Sequence, residues 1–123
     1  MKSLFGTILL AATLSSAVSH AKTYSCQDIQ GNVATLNMFS LSDVSWNEVS
    51  QSASSSAKYI GLDDAPYSET KGFMLFRLTD FYTTNDSSFV LALKRAVNRA
   101  EAVVYFDNDG HSEQETKFSC IAD

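Results

Sequence analysis

Few side chains in this 123-residue chain have the type and spacing to do chemistry. Of the two histidines, His20 falls in an N-terminal leader, which leaves His111, just after a turn. An imidazole there could serve as a general base, but an activated nucleophile needs oriented partners. No Gly-x-Ser-x-Gly elbow presents a serine to it. The run Asp107-Asn108-Asp109-Gly110 has the look of a calcium loop. Registering Gly110 on the sharp-turn glycine puts Tyr105 at the first ligand position and Thr116 at the last, where a carboxylate is required. The run therefore reads as a tight turn. The 14 acidic residues offer many carboxylate pairs for sugar hydrolysis and no specific one. No catalytic set, metal site or cofactor is assigned.

Binding chemistry is better represented. Arg77 sits in an otherwise apolar strand, either pairing with an acid at the rim or donating to a ligand carboxylate or hydroxyl. Trp46, Tyr67 and Tyr82 lie in loops or at element ends beside Asn, Asp, Thr and Ser. An aromatic plate flanked by short polar groups can stack on a sugar or a peptide, and it can equally fold down as a cap over a core. Asn85 opens an Asn-x-Ser sequon at Asn85-Asp86-Ser87 and stands beside Tyr82. Trp46, Tyr67, Arg77, Tyr82 and Asn85 form the candidate ligand-binding set.

These residues need elements to hold them. Wound at ~100° per residue, Phe89, Val90, Leu93, Ala96, Val97 and Ala100 share one side of a helix that Asp86 or Ser87 can cap. Lys94, Arg95, Asn98 and Arg99 take the other side, with Leu91 among them. Leu91 is either a tolerated surface residue or, with Lys94, Arg95 and Arg99, a contact to another subunit. Ala102 to Phe106 follows as a strand apolar on both faces, so it should be central and covered twice. Tyr24 to Ser40 reads as strand interrupted at Gln30-Gly31-Asn32. Lys58 to Leu62 and Gly72 to Thr79 are further strands. In the latter, Phe73, Leu75 and Arg77 share one face, and Met74, Phe76 and Leu78 the other. Leu41 to Ala57 reads as a short helical turn from a Ser45–Glu48 capping box into a serine-rich loop, with Val44-Ser45-Trp46 as strand the rival. Thr116 to Ala122 closes the chain as strand. The expected fold is α+β: a small five-stranded, partly closed antiparallel barrel, OB-like, with one main helix between strands 3 and 4.

Lys2, the apolar run Leu4 to Val18 and Ser19-His20-Ala21 match a secretory signal peptide over residues 1–21, leaving 22–123 as one small domain. The apolar run is too short to span a bilayer. Export, to a periplasm or beyond the cell, makes the compartment oxidising. Cys26 and Cys120 are then expected to join the terminal strands, closing a loop of about 95 residues worth about 4 kcal/mol. The formal net charge is −5. That argues against nucleic acid and against an anionic membrane surface as partners.

An exported chain of this size, with strands, then a helix passing directly into a strand, resembles the pentameric B subunits of bacterial A–B toxins. The resemblance rests on Ser88 to Phe106, on Tyr82-Thr83-Thr84 before it, and on Cys120 in the final strand. It implies an oligomer-binding barrel whose helices line a central channel, with Lys94, Arg95 and Arg99 facing that channel and loops binding glycans. The leading expectation is thus an exported non-enzymatic binding protein, a glycan-binding oligomeric subunit. The alternative is a periplasmic inhibitor or immunity-type protein that blocks a secreted hydrolase, an acidic surface suiting a basic target. A small hydrolase built on His111 is the third reading. The partner is accordingly a glycan or another protein, with a homo-oligomer as one form of the assembly.

Overall fold

The computed structural model describes residues 22–49, 53–79 and 89–123. Residues 1–21, expected to be a signal peptide, Tyr82, Asn85 with its sequon, and the expected helix cap at Asp86 and Ser87 lie outside the described residues. Eight antiparallel strands run in chain order: β1 (Lys22–Asp28), β2 (Val33–Ser40), β3 (Asp43–Glu48), β4 (Ala53–Leu62), β5 (Met74–Leu78), β6 (Phe89–Ala96), β7 (Arg99–Asn108) and β8 (His111–Ala122). Each pairs with its sequence neighbour, and β8 pairs with β1 to close the sheet into a barrel.

This corrects the expected α+β fold with five strands and a helix. The segment from Phe89 to Ala100, read as helix, is β6, a two-residue turn at Val97-Asn98, and the start of β7. Asn98 takes a left-handed conformation, φ 60°, which asparagine tolerates better than most residues. The apparent helical stripe has a physical origin. Leu91 and Leu93 point into the barrel, while Val90 and Ala92 point outward and are buried there as well. With both faces apolar, the period-2 signal is erased, and Ala96, Val97 and Ala100 extend the run by coincidence. In the stretch 41–57 the strand alternative holds for Val44-Ser45-Trp46: Asp43–Glu48 is β3 and pairs directly with β4, Trp46 opposite Ser55.

The inward set is large and apolar. Tyr24, Leu36, Trp46, Phe76, Leu78, Leu91 and Leu93 are all fully buried. Trp46 meets Phe118 edge-on, ring centroids 5.0 Å apart. An eight-stranded barrel is just wide enough for such side chains to fill. One outward row on β1 to β4 is short and polar: Thr23 faces Asn37, Asn37 faces Ser45, and Ser45 faces Ser56 across successive strands. No helix among the described residues is long and apolar enough to cross a membrane.

Turns are local. Asp109 and Gly110, φ 51° and 87°, make the two-residue reversal between β7 and β8, Gly110 donating its N–H to Asp107 Oδ1. Asp28 caps the β1–β2 turn by accepting from the backbone of Gln30 and Asn32 and from the Asn32 amide. The seam between β8 and β1 is covalently fastened. Cys26 and Cys120 face each other in register and form a disulfide, as expected from the sequence, across a separation of 94 residues. An intramolecular disulfide fits an oxidising compartment.

Two measurements check this architecture. On a helix surface Leu91→Arg would be tolerated; inside the barrel it should abolish cooperative unfolding, while Leu91→Ala costs about 2–5 kcal/mol in urea titration. The paired variant Cys26→Ser, Cys120→Ser should lose about 3–5 kcal/mol by the same assay.

Candidate functional site

The outer wall of β5, β6 and β7 carries a buried apolar cluster on the outside of the barrel. Its rows follow the register: Leu75, Ala92 and Val103 in one, Arg77, Val90 and Tyr105 in the next. Phe73, Ala92 and Val103 are buried, with Leu75 and Tyr105 packed against them, in a cluster separate from the barrel interior. Apolar surface of this extent needs a cover. The β4–β5 connection supplies it by folding back over the wall as a strap.

The strap, residues 63–73, is closed at its base by backbone bonds. Asp63 N–H donates to the Phe73 carbonyl at 2.9 Å, and Gly72 N–H donates to the Asp63 carbonyl at 2.7 Å. Gly72 sits at φ 88°, a conformation that side-chain-bearing residues rarely adopt. The Asp63 carboxylate is the hub. It accepts from Ala65 N–H at 3.0 Å, from Ser68 Oγ at 2.7 Å and from Thr70 Oγ1. Burial pushes the Asp63 carboxyl up, but the hydrogen bonds from Thr70, Ser68 and Ala65 outweigh it and hold it below its ordinary 3.8. Further along, Glu69 is tied to Lys117 of β8 at 2.8 Å. Between these anchors the strap presents Pro66 and Tyr67, the latter 98% exposed.

A trough of about 650 Å³ runs beside the strap, with Tyr67 on one wall and Leu75, Arg77, Val90 and Tyr105 on the floor. Asp107, His111 and Glu115 edge the far side. Arg77 faces Asp107 at 3.8 Å, a loose ion pair between partly exposed side chains. The Tyr105 hydroxyl is pushed above its ordinary value by burial first, and then by the carboxylates of Asp63 and Asp107.

Of the residues singled out in the sequence, Tyr67 and Arg77 meet at this trough, and His111 stands at its edge. Trp46 does not: it lies in the barrel interior, donating its indole N–H to the buried Glu48 at 2.9 Å. Tyr82 and Asn85 lie outside the described residues. Leu91 is 0% exposed, inside the barrel. Lys94, Arg95 and Arg99 are exposed near the β6–β7 hairpin, where Arg95 Nε donates to the Tyr24 hydroxyl at 3.0 Å and Lys94 lies over the Phe73 ring. Sequence reasoning missed Asp63, Ser68, Thr70 and Tyr105. The signal was present as an Asp followed by Ser and Thr five and seven residues on, around a Pro. Among the described residues, no group of three or more His, Cys, Asp or Glu is arranged to hold a metal ion.

Asp63→Ala should free the strap while leaving the barrel closed. Amide exchange at 65–72 rises at least about tenfold, with near-ultraviolet dichroism of the Trp46 core unchanged. The same release should follow acidification. A depressed carboxylate contributes order that is full above 3.8 and lost as pH falls through its lowered folded value. Exchange at 65–72 is therefore flat from neutral pH to about 5 and accelerates, beyond the intrinsic rate, only in acid below the ordinary value.

No protein-family model, curated protein or solved structure matches this chain, so the candidate site stands on its geometry alone.

Proposed function

We propose that this is an exported, non-enzymatic domain that docks on another protein through the strap, and that the partner is a secreted hydrolase with a basic surface. The observation that carries this is the strap itself: an aromatic side chain held out at 98% exposure on a loop fixed at both ends. A loop already ordered before contact loses little entropy on binding, and an exposed tyrosine at its tip is the type of residue that anchors an interface. Inhibitors that plug a cleft use this combination.

Three further points support the reading. The barrel interior is occupied by its own side chains, so binding chemistry among the described residues falls on the outside. The chain is acidic, with a formal net charge of −5, which speeds encounter with a basic enzyme. The disulfide suits a protein working outside the reducing cytosol. A glycan platform that joins Trp46 to Tyr67 has less support, since Trp46 packs in the interior and only Tyr67 of the pair reaches solvent.

The test is a panel of secreted glycosidases, proteases and nucleases of graded isoelectric point, assayed with the oxidised protein. At least one basic member should be inhibited stoichiometrically. Tyr67→Ala should then weaken inhibition about 30-fold or more, as for an interface anchor, and added salt should slow association. A panel with no inhibition and no complex on calorimetry would end this reading.

A further inference from the structure

The trough beside the strap has a chemistry of its own. Its floor is apolar and aromatic, Leu75, Val90 and Tyr105, and Tyr67 of the strap borders it. Two carboxylates on different strands face it from the far edge, Asp107 of β7 and Glu115 of β8. Arg77 on the floor is offset by Asp107 at 3.8 Å. A recess floored by the Tyr105 ring and edged by carboxylates suits a planar cation, which stacks on the ring while its N–H groups reach the acids. Resting on the protein-docking reading above, we propose that this trough receives an arginine side chain of the partner, seated on Tyr105 and against Glu115 and Asp107. The strap then has two duties, entering the partner with its tip and walling the recess into which the partner reaches back. The volume of about 650 Å³ exceeds one side chain, so the backbone flanking the arginine enters with it.

The site can be probed without knowing the partner. Nα-acetyl-arginine amide is titrated into the oxidised, isotope-labelled protein and followed by amide chemical shifts. Saturable millimolar binding is expected, with the largest shifts at Tyr105, His111 and Ser112. The citrulline analogue, same shape without the charge, should bind at least about fivefold more weakly. Glu115→Gln should weaken arginine binding about threefold, whereas Glu101→Gln, elsewhere on β7, should not change it. Glu115 is exposed, so its replacement leaves folding intact. Absence of a saturable shift, equal response to citrulline, or indifference to Glu115→Gln would each overturn the proposal. The two readings fail separately. If a hydrolase from the panel is inhibited equally well by Glu115→Lys, the trough is refuted and docking by the strap survives. If arginine binds while every hydrolase is ignored, the trough survives and the hydrolase reading falls.

Discussion

Burial on both sides of one stretch of sheet governs this molecule. Leu91, Leu93 and Val104 fill the barrel, and Val90, Ala92 and Val103, their immediate neighbours in sequence, are buried on the opposite side. A small barrel normally leaves its outside to water. Here the outer wall of β5 to β7 carries Phe73, Leu75, Ala92 and Val103, and the free energy of hiding them draws the β4–β5 connection down on top. Once that connection is committed to covering the wall, its length and its proline leave Tyr67 projecting, and the gap between cover and wall becomes the trough. The candidate site is a by-product of a packing problem.

Polar anchoring makes that cover definite. Apolar contact alone is non-directional and would leave the strap sliding. Asp63 fixes it by gathering donors from Ala65, Ser68 and Thr70 onto one carboxylate, and the Glu69–Lys117 bond ties its far half to β8. The second of these is an exposed pair and contributes little to stability on its own. Its value is positional, since it sets where the strap lies relative to β8 and hence how wide the trough is.

What the sequence revealed and what it hid follow from the same source. In β5 the two sides are legible, Met74, Phe76 and Leu78 separating from Leu75 and Arg77, and the Asp109-Gly110 reversal announces itself. The cysteine pair was legible because two sulfurs with no third cysteine beside them have few other uses. Residues 89–100 defeated the reading because a strand buried twice loses its period, and the cover that explains the burial lies some twenty residues earlier in the chain. Trp46 was unreadable for another reason. The serines of β4 compete locally with regular structure, yet on a barrel Ser54 and Ser56 simply point outward between the buried Ala53, Ser55 and Ala57. Tyr67 was correctly placed in a loop, but only tertiary structure discloses that the loop is anchored.

The register of the seam carries one more implication. Seven of the eight strand pairings join consecutive segments, and each can form early as a hairpin; the eighth joins β1 to β8 across nearly the whole domain. Before it forms, the chain is an open ribbon with two bare edges and a greasy concave side, the kind of surface on which other chains nucleate fibrils. Oxidation of Cys26 and Cys120 removes both edges at once. The bond therefore holds shut the seam at which another chain could add a strand, so that breaking it loosens the edges of β1 and β8 together.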